Sequence, residues 1–84
     1  MQKNTAVETL AIAMNCSRRV DESVGLVKDT CDADELQAYG RFAGAAMASI
    51  FENVMAPIYD EHPDLAPDWY KEMNAKLSAR QSNK

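Results

Sequence analysis

Residues 32–62 decide the fold of this chain, and they read DADELQAYGRFAGAAMASIFENVMAPIYDEH. Small or apolar residues recur there at intervals of three and four, and they are Leu36, Gly40, Ala43, Met47, Ile50, Val54 and Ile58. That period is typical of one face of an α-helix. Asp32 and Glu35 form a capping box, in which each side chain accepts a hydrogen bond from a free backbone amide at the helix start. The pattern therefore predicts one long helix over residues 32–61.

Pro57 lies inside this helical pattern. A proline lacks the backbone N–H and crowds the preceding turn, so we expect a kink near residues 54–57. Ile58 and Tyr59 continue the apolar face, which favours a kinked helix over an early end. The helix should end before Pro63, because the residue preceding a proline avoids the α conformation.

Three small residues spaced four apart, Gly40, Gly44 and Ala48, form a ridge along one side of this helix. Small residues at this period allow a second helix backbone to approach closely. We expect the first helix of the same chain to pack against the ridge, with a subunit interface as the alternative.

Two further helices flank the central one. Thr5 and Glu8 fit a second capping box, and apolar residues at helical spacing then predict a helix over residues 5–29. Since only a short connection separates it from the central helix, the two should be antiparallel neighbours. Pro67 and the acidic Asp68 are favourable start signals for a third helix over residues 66–79.

The expected architecture is a single all-α domain covering residues 1–84. It consists of a long antiparallel helical hairpin with a shorter C-terminal helix packed across its open end. Two long apolar stripes exceed what a short third helix can cover, and large exposed apolar patches are rare on monomers. We therefore predict a homodimer that completes a helical bundle.

Charge is unevenly distributed along the chain. The net charge is −4, but residues 71–84 carry +3 and the remainder carries −7. An acidic body disfavours nucleic-acid binding, and the basic tail complements a helix dipole. The longest uncharged run, residues 42–51, is far shorter than the ~20 residues that cross a bilayer. We expect no membrane partner, a cytoplasmic location, and Cys16 and Cys31 as reduced, buried thiols.

His62 is the only histidine, and Asp60, Glu61 and Asp64 surround it. A carboxylate-rich group with one histidine could bind a divalent metal. No second histidine or nearby cysteine completes a transition-metal ligand set, however. We interpret the group as a solvated helix end, and we predict no catalytic residue, no metal ligand and no cofactor.

Tyr59, Trp69 and Tyr70 flank the turn that contains His62. We favour a role in the core, in which the three rings pack together and stabilise the end of the bundle. Alternatively, these three aromatic residues and His62 form an interaction surface, because aromatic rings with a polar tip are common at protein interfaces.

The segments 39–44 and 56–65 carry a glycine-bearing helix followed by Pro-Ile-Tyr-x-x-His-Pro-x-Leu. This combination, which covers less than half of the chain, resembles a pattern in small, uncharacterised bacterial all-helical proteins. The resemblance implies a helical fold and no particular activity. From the residues themselves we predict a non-catalytic protein–protein interaction module, such as a small regulator, adaptor or inhibitor, and not an enzyme. The alternative is a minor metal- or small-ligand-binding protein that uses the acidic His62 region.

Overall fold

The computed structural model describes the backbone of residues 1–82 and, within that range, all side chains except those of residues 78 and 80–82. Every regular element in the described residues is helical, which confirms the all-α class. The four α-helices are α1 (Lys3–Thr30), α2 (Ala33–Ile50), α3 (Ala56–Glu61) and α4 (Asp68–Ser82). A π-helical turn at Phe51–Met55 joins α2 to α3, and a 3₁₀ turn at Pro63–Leu65 precedes α4.

The helices α1 and α2 form an antiparallel hairpin. Near the connection, the hydroxyl groups of Ser23 and Tyr39 are hydrogen-bonded at 2.6 Å. At the opposite end, the amino group of Met1 contacts the carboxylate of Glu61. The helix α2 begins directly after the short connection. The Asp32 carboxylate caps it by accepting a hydrogen bond from the Glu35 amide at 2.8 Å, as the capping pattern predicts.

The first helix begins at Lys3, two residues before the predicted start at Thr5. Gln2 is the N-cap residue and makes no side-chain capping bond, while its carbonyl accepts from the Ala6 amide at 2.9 Å. The prediction that Thr5 caps this helix is therefore wrong. Met1 and Lys3 are held in place by contacts with Glu61 and Asp64, which are distant in the sequence. A capping pattern, which involves only residues close in sequence, cannot predict such contacts.

The distortion predicted around Pro57 takes the form of the π-helical turn. The Ala56 amide donates to the carbonyl of Phe51, five residues earlier, instead of four. A π turn is a known way to insert an extra residue into an α-helix. Because it lies directly before Pro57, we attribute it to the missing N–H and the crowding of the proline ring. The chain then stays helical to Glu61, which is where the sequence pattern ends the helix.

The main core lies at the open end of the hairpin, where α1 begins and α4 starts. One buried cluster contains Ala6, Leu10, Ile58, Tyr59, Ala66 and Tyr70, and Phe51, Met55, Ala56 and Leu65 pack against it. Farther along the hairpin, the buried residues of α1 and α2 are the alanines Ala13 and Ala43. Two helices alone cannot surround larger side chains, so the core is concentrated where a third element is present.

The molecule is extended rather than spherical. Its radius of gyration is 16.1 Å, whereas a compact chain of this length has about 12 Å. The principal extents are 45 × 38 × 18 Å.

The helix α4 starts two residues later than predicted, with the Pro67 carbonyl accepting from the amides of Tyr70 and Lys71. Beyond Tyr70, its described side chains are exposed apart from the half-buried Asn74.

None of the helices in residues 1–82 combines the length and the apolar character needed to cross a membrane. Cys16 and Cys31 are both free and exposed, so the prediction that they are buried is wrong. Cys31 lies just past the end of α1, and Cys16 lies to one side of the face that α1 turns toward α2.

Candidate interaction surface

Four aromatic rings meet where α4 begins, and we call Phe51, Tyr59, Trp69 and Tyr70 the aromatic corner. Ring centroids are 5.7 Å apart for Phe51–Trp69, 5.9 Å for Phe51–Tyr70, 5.1 Å for Tyr59–Tyr70 and 6.0 Å for Trp69–Tyr70. These distances lie in the range in which tilted and edge-to-face pairs attract. The structure thus brings the three predicted aromatic residues together. Sequence reasoning missed Phe51, although it lies eight residues before Tyr59 and hence near the same helix face.

The rings differ sharply in exposure. Tyr59 and Tyr70 are 5 % and 6 % exposed, whereas Trp69 is 54 % exposed. Tyr59 and Tyr70 are therefore part of the core, whereas Trp69 lies at the surface. One face of the indole packs on Phe51, and the remainder is accessible to solvent.

The surroundings of the two buried tyrosines raise the pKa of both hydroxyl groups. The Tyr70 hydroxyl donates to the Asp60 carboxylate at 2.7 Å. A hydrogen bond with Asn74 lowers the pKa of Tyr70, but the bond to Asp60, burial and the charge of Asp60 together raise it above its usual value. Burial, and secondarily the charge of Tyr70, raise the pKa of Tyr59. These groups stabilise the corner and offer no reactive phenolate near pH 7.

His62 and its acidic neighbours hold the chain start against the end of α3, and we call Met1, Lys3, Glu61, His62 and Asp64 the clasp. The Nε2 atom of His62 donates to the Met1 carbonyl at 2.9 Å, because a carbonyl can only accept. Glu61 pairs with the Met1 amino group, and Asp64 pairs with Lys3. A hydrogen bond from the Met1 ammonium lowers the pKa of Glu61, and one from Lys3 lowers the pKa of Asp64.

The clasp explains why carboxylates surround His62. Asp60 binds Tyr70, Asp64 binds Lys3, and Glu61 binds Met1 while its Oε1 also lies 3.2 Å from Nε2 of His62. Each acidic group therefore has a partner of its own. Among the described residues, no group of three or more His, Cys, Asp or Glu side chains is arranged to hold a metal ion. His62 is half-buried in a packing contact between the chain start and the end of α3.

An open apolar groove runs along one side of the hairpin, between α1 and the α2–π turn. One section of about 250 Å³ is lined by Thr9, Ile12, Ala13, Cys16, Ile50 and Val54. A second section of about 230 Å³ shares Thr9 and Val54 and continues toward Met1 and Glu61. We call the two sections together the seam groove. The apolar pattern of α1 did not predict this groove, because Ile12 and Cys16 lie two and six residues after Leu10 and so do not follow its three- and four-residue spacing.

The ridge of Gly40, Gly44 and Ala48 lies mostly on the exposed side of α2. Gly44 and Ala48 are exposed, and a Cβ atom built on Gly40 or Gly44 would meet no atom within 4 Å among the described residues. The favoured expectation that the first helix packs against the ridge is therefore wrong. Buried Ala43 faces α1, and the next residue of an α-helix points about 100° away. A contact between copies at the ridge is the remaining alternative.

Comparison of the chain with protein-family models, with curated proteins and with solved structures gave no match in any of the three sets. The resemblance to small bacterial helical proteins therefore stays a prediction.

Proposed function

We propose that this chain is a non-catalytic helical interaction module that works as a homodimer, with Trp69 in the surface between the two copies. In this role it acts as a small regulator, adaptor or inhibitor. Cytoplasmic localisation stays a prediction of the sequence.

The observation that carries the proposal is the amount of exposed surface. The accessible surface is 6255 Å², whereas a compact monomer of this mass exposes about 5,000 Å². A standard protein interface removes about 800 Å² from each partner. The surplus is therefore large enough to form one complete interface.

Much of this surface is apolar. Large apolar side chains are exposed on three helices, and they include Val7, Ile12, Met14, Leu26, Phe42, Trp69 and Leu77. Single exposed apolar residues are ordinary, but a set of this size on so small a chain is typical of an interaction surface. Burial of such residues against a second helical surface would supply the missing part of the core.

The groups around His62 support a structural role over a chemical one. Glu61 and Asp64 are each engaged with a cation of the chain start, and Asp60 is engaged with Tyr70. Metal or small-ligand binding at His62, the alternative function, would require these carboxylates to leave their present partners.

Thermal unfolding at several protein concentrations tests self-association. A folded dimer that dissociates on unfolding has a melting temperature that rises with concentration by mass action. We expect this rise between the low micromolar range and the high micromolar range. A melting temperature independent of concentration, together with a monomeric mass, would contradict the proposal.

A further inference from the structure

We infer that α4 of one copy lies in the seam groove of a second copy, and that the second copy returns the same contact. This inference rests on the proposed self-association and specifies its surface. The occupant of the groove is therefore a second copy of this chain.

The first reason is that α4 is a helix without a partner for most of its length. Trp69, Met73 and Leu77 follow each other at four-residue intervals and are 54 %, 37 % and 47 % exposed. That spacing places them on one side of the helix. Isolated helices of about 15 residues or fewer are marginal in water, and most of their stability in proteins comes from packing an apolar face. The described structure packs only the start of α4, at the aromatic corner.

The second reason is that the groove is long enough to hold the stripe. Leu77 lies eight residues after Trp69, which corresponds to a rise of about 12 Å along α4. The groove follows α1 from Cys16 toward the chain start, and the helix from Cys16 back to its first residue, Lys3, is about 20 Å long. Its lining is almost wholly apolar near Ile12. Insertion of an apolar helix face into such a groove is a common mode of recognition.

The groove is also open within its own chain. Ile12 is 65 % exposed, so α4 of the same copy does not cover it. The chain leaves the hairpin after the aromatic corner, and beyond Tyr70 the described side chains of α4 are exposed apart from Asn74. A helix that projects from one copy is placed to reach another.

The third reason is charge. Residues 71–84 carry +3, and the rest of the chain carries −7. Packing α4 on the hairpin of a second copy brings opposite charges together, and opposite potentials guide association. In a two-fold dimer, each copy gives its stripe and receives the stripe of the other, so both exposed surfaces are covered in one step.

Cross-linking between two differently marked full-length chains tests the contact. The first chain carries Met73→Cys with Cys16→Ser and Cys31→Ser, so its only thiol is on the stripe. The second carries Cys31→Ser alone, so its only thiol is Cys16 in the groove. The two chains are mixed and incubated so that dimers exchange subunits. The mixture is then treated with a short thiol-to-thiol cross-linker. A matched control replaces Met73→Cys by Ala75→Cys, which is also exposed but lies on the opposite side of α4.

We expect the Met73→Cys chain to form the mixed product several-fold more than the Ala75→Cys chain, and more than either chain forms with itself. Equal yields from the two positions would overturn the inference. A dimeric mass without the mixed product would also overturn it, while leaving the proposed function intact. A monomeric mass for the unmodified chain would refute both. Helical circular dichroism of each variant shows that it is folded.

Discussion

Trp69 and Tyr70 are neighbours in the sequence, yet they meet opposite environments. Tyr70 is buried and its hydroxyl donates to Asp60, whereas more than half of Trp69 is exposed. Adjacent residues of a helix point about 100° apart, so one can face the core while the next faces solvent. A partly exposed tryptophan on a fixed aromatic base is the kind of residue in which binding energy concentrates.

This difference predicts unequal costs of truncation. Tyr70→Ala should lower the free energy of unfolding by about 3–5 kcal/mol, as for other buried aromatic residues. Trp69→Ala should cost only about 1–2 kcal/mol, because much of its apolar area is already in water. Urea unfolding at a protein concentration low enough to keep the chain monomeric measures both values. An equal or larger cost for Trp69 would mean that the indole is part of the core.

The clasp predicts a loss of stability in acid. The pKa values of Glu61 and Asp64 are lowered on folding by their bonds to the Met1 ammonium and to Lys3. A carboxylate with a lowered folded pKa stabilises the protein above its unfolded pKa and loses that contribution as pH falls through the folded value. Since unfolded carboxyl groups titrate near pH 4, the melting temperature should drop as pH decreases below about 4.

Removing the two carboxylates should flatten this drop. The double variant Glu61→Gln and Asp64→Asn is expected to start from a slightly lower melting temperature at pH 6 and to change less on acidification. Glu72→Gln serves as the matched control, because Glu72 lies on the exposed part of α4. If the double variant and the wild type lose the same number of degrees, the clasp does not contribute to the acid sensitivity.

At the scale of the elements, features that depend on residues close in sequence could be predicted, whereas features that depend on residues far apart in sequence could not. The Asp32 cap is present as expected, because its hydrogen bond to Glu35 spans three residues. The start of α1 differs because it depends on Glu61 and Asp64, about sixty residues away. Similarly, the aromatic residues were identifiable from the sequence, but the rotation of α4 that exposes Trp69 depends on tertiary packing.

The small-residue ridge on α2 illustrates the same limit. The spacing of Gly40, Gly44 and Ala48 permits close packing, but the spacing does not say whether a partner is present. The structure leaves a Cβ at Gly44 without a neighbour within 4 Å among the described residues. Sequence reasoning chose the wrong partner because the ridge lies beside the apolar stripe that contacts α1.

Substitution of Gly44 therefore has a defined outcome. Gly44→Ala should raise the free energy of unfolding by about 0.5–1 kcal/mol, because glycine disfavours a helix interior and the site has room for a methyl group. Gly44→Leu should likewise fit the single chain and leave the association constant unchanged. Urea unfolding and sedimentation measure the two quantities. Loss of association in Gly44→Leu would place the contact between copies at the ridge instead of the seam groove.

At the scale of the whole molecule, the core formed by the hairpin and α4 is too small to cover the apolar surface of the chain. The main buried cluster lies at one end, and most of α4 and much of the hairpin surface are accessible. A short chain buries a smaller share of its surface than a large one and often gains stability from a second subunit. The extended shape, with a radius of gyration of 16.1 Å, follows from the same geometry.

Sedimentation equilibrium of the unmodified chain tests the central claim most directly, because it reports mass independently of shape. At tens of micromolar, the account predicts a species of twice the 9.3 kDa chain mass, which dissociates on dilution. A single species of 9.3 kDa across the whole concentration range would contradict it.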